Sequence, residues 1–227
     1  MKQHIGYIGL GKMGIGMVER LCSAGWNVHA FDPSEDAREQ ARLFGATVFG
    51  SVTDMAYGYT AETPRVFWLM VPHWAVDAVL EELLPLVQER DVIIDGGNSH
   101  YKKTIAHALT AEEYGVDFMD VGVSGGPGGA KNGACCMIGG EKELFHTHEQ
   151  LFKDISATNA YGYMGQVGAG HFVKMVHNGI EYGMMQAIGE GFGIMKEVKD
   201  FDIDLTEVAR VYNNQSVIES RLVGWLG

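Results

Sequence analysis

Lysine and arginine are scarce in this chain and nowhere clustered. Seventeen of them stand against 29 aspartates and glutamates, for a net charge of −12. A surface of that balance makes nucleic acid and anionic membranes poor partners, and an anionic ligand needs donors aimed at it locally. Long apolar runs are missing too. The longest lie near Val66 to Pro72, too short and too interrupted to cross a bilayer. Cysteine is rare: Cys22, Cys135 and Cys136 offer neither a disulfide framework nor zinc-ligand spacing, which fits a reducing compartment. The adjacent pair reads as small apolar strand residues. No internal repeat or low-complexity linker is visible. The opening MKQHIGYIGLG enters a strand pattern at once, so no cleavable signal is expected and a cytoplasmic protein is. What the chain does have is 46% hydrophobic residues over 227 positions, enough for one large domain or one and a half.

The first motif follows directly. His4 to Ile8 reads as a buried strand, and Gly9-Leu10-Gly11-Lys12-Met13-Gly14 then spells G-x-G-x-x-G. A helix runs to about Ala24, and a second strand, Asn27 to Phe31, closes on Asp32. Strand, glycine turn, helix, strand and acidic end form the dinucleotide fingerprint in its required context. The glycines permit the tight turn, the approach of backbone to pyrophosphate and close helix–strand packing, while free N–H groups of the helix carry the anion. A tight turn holding no ligand is the plainer alternative. Asp32 can accept from both ribose hydroxyls and repels a 2′-phosphate, and neither Pro33 nor Ser34 supplies an arginine for one. NAD is therefore expected over NADP.

The alternation continues. Helices are expected over Ser34 to Phe44, Val76 to Val87, Tyr101 to Tyr114 and Leu144 to Phe152. Strands are expected over Val66 to Val71, Val92 to Asp95, Phe118 to Val123, Cys135 to Ile138 and Ala157 to Tyr161. Such units imply a parallel, doubly wound sheet, whose ligands sit beyond the carboxyl ends of the strands. Val71-Pro72, Gly96-Gly97-Asn98-Ser99 and Ser124-Gly125-Gly126 all fall at such ends. The glycine-dense SGGPGGAKNGA could form a backbone nest for a carboxylate, or a flexible turn.

The longest helical pattern runs from Gly168 to Lys196. Lys174, His177, Asn178, Glu181 and Tyr182 fall on roughly 140° of it at about 100° per residue. Met175, Val176, Gly179, Ile180 and Gly183 occupy the rest and are expected to pack against protein. One ionisable stripe on a buried-looking helix points into a cavity, where Lys174 and Glu181 could hold a base and an acid on either side of a small substrate. A solvated face with an ordinary Lys–Glu pair is the bland alternative. A metal at His177 and Glu181 lacks an evident third ligand. Two further helices are expected, Leu205 to Asn214 and Ser216 to Leu226. The dinucleotide unit should span 1–165 and a helical unit 166–227. So small a helical unit is thin cover for the long helix, so the chain reads as incomplete or as completed by a second subunit.

The runs GLGKMG, IDGGNSHY, DVGVSGG and KMVHNGIEYGMMQ carry a family resemblance over nearly all 227 residues. The chain resembles the decarboxylating 6-phosphogluconate dehydrogenases, in particular their shorter, often NAD-using form. The wider β-hydroxyacid dehydrogenases share the SGG turn and the lysine but typically lack the GGN-S pair and the HNGIEY continuation. The resemblance implies a Rossmann-type α/β domain followed by the start of an all-helical domain built on a long central helix. It implies oxidation of 6-phosphogluconate at C3 and loss of C1 as CO2, without a metal. Lys174 would be the general base and Glu181 the acid that protonates C1 of the enediol. Asn98, Ser124, Gly125, Gly126, His177 and Asn178 would hold the sugar acid, and Tyr182 its phosphate. Gly9, Leu10, Gly11, Lys12, Met13, Gly14, Asp32, Val71, Pro72 and Asn98 would line the dinucleotide. Pro127 and Gly128 depart from the family, standing where a more polar pair is common. Family members form homodimers or homotetramers through a larger helical domain that also supplies further phosphate contacts.

Overall fold

The computed structural model describes residues 3–59 and 64–226. The chain divides into two compact units, Met1–Lys174 and Met175–Gly227.

The first unit is built on a sheet of order β3-β2-β1-β4-β5-β6-β7-β8. Its strands are β1 His4–Ile8, β2 Asn27–Phe31, β3 Thr47–Val48, β4 Val66–Leu69, β5 Val92–Asp95, β6 Asp117–Ser124, β7 Ala134–Gly139 and β8 Ser156–Gly165. The helices between them are α1 Gly14–Ser23, α2 Glu35–Leu43, α3 Val52–Gly58, α4 Val76–Leu83, α5 Tyr101–Glu112, α6 Gly126–Asn132, α7 Lys142–Thr147 and α8 Glu149–Ile155. All four residues of β4 and of β5 are buried, as strands covered on both faces require. Alternation splits the core in two. Tyr7, Trp68 and Ile94 join one apolar cluster with Met17 and Leu21 of α1. Ile8, Phe67, Leu69 and Ile93 join the other with Met55 of α3 and Leu80 of α4.

The doubly wound α/β architecture is as expected, with one reversal. β7 runs antiparallel to β6, pairing Ser124 with Cys135 and Asp120 with Gly139. Only residues 125–133 join them, and a parallel crossover needs about a dozen or more. The glycine-dense stretch is thus neither nest nor flexible turn throughout, because Gly126–Asn132 coils into α6. It docks on α1, where a Cβ at Gly16 would lie 3.1 Å from the Lys131 nitrogen. The single helix expected over Leu144 to Phe152 is two, α7 and α8, parted at His148 with φ −102° and ψ 13°. β3 and α3 escaped the sequence reading. β3 has only two residues, and α3 is capped by Ser51, whose hydroxyl accepts from the Asp54 N–H at 2.9 Å.

The long helix α9 is Ala169–Glu197, close to expectation, and its first turns belong to the first unit. In the second unit α10 is Leu205–Tyr212, started by Asp204, whose carboxylate accepts from the Thr206 N–H at 2.9 Å. Phe192 meets Tyr212 edge to face with centroids 6.2 Å apart. The helix expected over Ser216 to Leu226 shrinks to α11 Arg221–Gly224. Ser220, extended at ψ 160°, starts the helix late: its hydroxyl accepts from the Val223 N–H at 3.2 Å, and Asn213 takes its own N–H at 3.1 Å.

Candidate active site

The glycine turn after β1 is fixed by collisions. Gly9 stands at φ 100°, and a Cβ there would strike the Met70 carbonyl. One at Gly14 would strike the Gly9 carbonyl. Gly11 differs, because a Cβ there would meet nothing within 4 Å. The turn is closed on its protein side and open at Gly11, which is the cradle a pyrophosphate needs beside the first turn of α1. Leu10 is buried and its N–H donates to Asp32 Oδ2 at 2.7 Å, while Ser34 N–H donates to Oδ1 at 2.8 Å. Asp32 at the end of β2 is thereby aimed at the turn. The residues fit a dinucleotide. Lys12 is exposed and Met13, half-buried, precedes α1. An arginine also comes near: Arg38 Nη1 donates to the carbonyls of Asp32 at 2.6 Å and Pro33 at 3.1 Å. Its place one turn into α2 hid it from a reading of the residues next to Asp32.

Beyond β4, Val71 is half-buried and Pro72 exposed. A Cβ at Gly97 would come within 2.8 Å of the Val71 carbonyl, so the ends of β4 and β5 converge. Asp95, fully buried, ties the next turn: Oδ1 accepts the Gly97 N–H at 2.9 Å and Oδ2 the Ser99 hydroxyl at 2.6 Å. Asn98 is left exposed at the tip. A side chain at Gly96 would run into the Trp68 indole. Asp95 was read only as a strand end, although a carboxylate two and four residues before an N–H and a hydroxyl is a turn signal.

On β6, residues Asp120, Gly122 and Ser124 share one face by the two-residue repeat of a strand. The start of α9 lies against that face. A Cβ at Gly122 would overlap Lys174 Cβ and come 2.8 Å from the Gly170 carbonyl. A Cβ at Gly170 would come 2.8 Å from the Asp120 carbonyl and 2.9 Å from the Gly139 nitrogen. Asp120 is fully buried, and its carboxylate takes the Gly168 N–H at 2.6 Å and the His171 N–H at 2.7 Å. Burial pushes its carboxyl above the usual range, and the neighbouring His171 and those two N–H groups oppose the rise. His171 Nδ1 pairs with Thr104 of α5 at 2.7 Å. Ser124 and Gly125 are half-buried at the end of β6, with Gly125 at φ 120°, and Gly126 opens α6.

In the second unit, α9 carries His177, Asn178, Glu181 and Tyr182. His177 Nδ1 lies 3.7 Å from Glu181 Oε2 and 3.2 Å from Asn178 Oδ1. The two ionisable side chains are 37% and 35% exposed, and Tyr182 is 69% exposed. The remaining face does not pack against protein as expected: Met175, Val176 and Ile180 are exposed, and a Cβ at Gly179 or Gly183 would meet nothing within 4 Å. Apolar content announced burial, but the described residues of this chain do not cover that face. Among the described residues no helix is long and apolar enough to cross a membrane, and no group of three or more His, Cys, Asp or Glu side chains is placed to hold a metal ion.

Residues 4–168 match the model of the NAD binding domain of 6-phosphogluconate dehydrogenase, and residues 170–225 that of its C-terminal domain. The NAD(+)-dependent, decarboxylating 6-phosphogluconate dehydrogenase of Haloferax volcanii is 42% identical over 221 residues, 96% of this chain and 72% of the relative. The NADP(+)-dependent enzyme of Bacillus subtilis is 38% identical over 229 residues, 98% of this chain but 49% of its own. Among solved structures, Plasmodium falciparum 6-phosphogluconate dehydrogenase superposes with a TM-score of 0.84 at 30% identity, over 99% of this chain and 51% of that one.

Proposed function

This chain belongs to the 6-phosphogluconate dehydrogenase family, and we propose that it oxidises 6-phosphogluconate to ribulose 5-phosphate and CO2 with reduction of NAD. One observation carries the reading most: Gly122 leaves the space of its missing side chain to Lys174, two residues before Ser124 on the same face of β6. A lysine held against the strand whose end carries the SGG turn supports its reading as a base for a bound hydroxy acid.

The chemistry then assigns roles. A bound nicotinamide supplies the acceptor for the hydride of C3. Lys174 takes the C3 hydroxyl proton, and as an ammonium it donates to the 3-keto oxygen. A β-keto acid loses its carboxyl readily, so stabilising the enediolate is the residual task. Glu181, two turns along α9, gives its proton to C1 of the enediol once CO2 has left. Asn98, Ser124, Gly125, Gly126, His177 and Asn178 hold the sugar acid and Tyr182 its phosphate. Leu10, Gly11, Lys12, Met13, Val71 and Pro72 line the dinucleotide. Asp32 makes NAD the preferred cofactor over NADP.

Residues 1–165 act in this reading as the dinucleotide domain, and residues 166–227 belong to the helical substrate and dimerisation domain. The exposed Met175, Val176, Ile180, Met184 and Met185 of α9 suit assembly into a homodimer or homotetramer. The setting is cytoplasmic.

The test is NADH absorbance with 6-phosphogluconate and NAD, then NADP, with CO2 trapped in parallel. NADH and CO2 in equal amounts are expected. Reduction without CO2 would point to another β-hydroxyacid dehydrogenase. NAD binding with neither product would leave a dinucleotide-binding chain.

A further inference from the structure

α9 starts without a cap of its own. The residue before it is Gly168, at φ 91°, which has no side chain to offer, and no acidic residue stands in its first turn. Four N–H groups at a helix start need acceptors, and an anion there also meets the positive end of the helix dipole. Asp120 supplies both from the neighbouring strand, one carboxylate oxygen to Gly168 and the other to His171. The second anchor is lateral: Thr104 holds the His171 ring at 2.7 Å, which ties the same turn to α5. The third is contact, because Gly122, Gly139 and Gly170 bring the backbones of β6, β7 and α9 too close to admit a single Cβ. Lys174 is one turn beyond His171.

We infer that Asp120 is a positioning residue for the proposed reaction. As the cap of α9 donated by β6, it fixes how far the helix is advanced along the strand and so sets the place of Lys174 relative to Ser124. The arrangement fits a placement device better than a general staple. A cap gives one height to the helix, the Thr104–His171 bond gives it one rotation, and the strand that donates the cap also ends in the substrate turn. A shift of about an ångström in a catalytic group costs up to roughly a hundredfold in rate.

The inference rests on the proposed role of Lys174, so its test has one arm that needs no turnover. Asp120→Asn keeps the shape but turns one acceptor into a donor facing an N–H. We expect kcat with 6-phosphogluconate to fall roughly tenfold to a hundredfold, with KM changed far less and NAD affinity held. In the second arm the protein is treated with acetic anhydride and the acetylation rate of Lys174 is read by mass spectrometry. That rate should change in Asp120→Asn while the rates of exposed Lys102 and Lys199 do not. Unchanged kcat and unchanged Lys174 acetylation, with faster amide exchange at Gly168 and His171, would overturn the inference: the cap would be lost and the lysine unmoved. A parent protein that does not turn over 6-phosphogluconate refutes the proposed reaction but leaves the acetylation arm decisive for placement. If Asp120→Asn does not fold, Thr104→Val frees the His171 ring with the cap intact, and the same two readouts apply.

Discussion

Glycine means different things in the two units. In the first, a Cβ at Gly9, Gly14, Gly122, Gly139 or Gly170 would collide with a backbone or side chain already in place. In the second, a Cβ at Gly179, Gly183, Gly189, Gly191 or Gly193 would meet nothing within 4 Å. Glycine lowers stability in a helix interior, so a helix that carries five without a collision to avoid gains nothing from them among the described residues. Those five glycines of the first unit are explained by its own fold. Those of α9 have no such explanation among the described residues, and exposed Met184 and Met185 stand beside them.

The contrast can be attacked from both sides. The largest effect is expected at the boundary: Lys174→Ala should lower hydride transfer by about a hundredfold or more with NAD affinity retained, as loss of a general base does. Glu181→Gln, in the other unit, should spare hydride transfer and slow the protonation after CO2 loss, seen in single turnovers as CO2 release that outruns the formation of ribulose 5-phosphate. Loss of NAD binding in Lys174→Ala, or normal turnover in Glu181→Gln, would undo that division of labour.

Next comes Gly122→Ala, which must push α9 off the strand. It should cost about 1–3 kcal/mol, measured as a lower urea midpoint. Acid should also strike the first unit harder. Burial holds His29 below its ordinary value, with His4 beside it adding to the effect, and burial does the same to His148. A histidine kept neutral in the fold but free to protonate when unfolded contributes nothing adverse above about pH 6.5 and destabilises as pH falls through its lowered value. Urea midpoints should therefore drop below about pH 6.5, and His29→Phe should flatten that slope. The smallest effect sharpens the comparison most. Gly183→Ala should stabilise by about 0.5–1 kcal/mol, since nothing among the described residues opposes it. A loss instead would reveal a second backbone on that face in solution.

Much of the first unit was legible because its signals are local. The glycine turn, Asp32 and the strand–helix alternation each occupy a few neighbouring residues, and β1, β2 and β5 fall where periodicity put them. The reversal at β7 was readable in principle from the shortness of its connection. The Asp120 cap was not, because Asp120 and its two N–H partners stand 48 and 51 residues apart. Arg38 was missed for a milder version of the same reason, lying six residues from the carbonyl it binds. For the second unit the periodicity that built α9 was right and the inference of burial from apolar content was not. Composition tells that a face needs cover, never which chain provides it.

The distance in sequence between cap and helix has a temporal consequence. A helix that begins with its own serine or aspartate can close its first turn at any moment of folding. α9 cannot, because its opening N–H groups wait for β6 to be laid into the sheet, and closing a loop of that length precedes any reward. The far end of α9 can coil early while its root remains frayed. Refolding should therefore seat Lys174 late, and pulsed amide labelling should find Gly168 and His171 protected after β1 and β5.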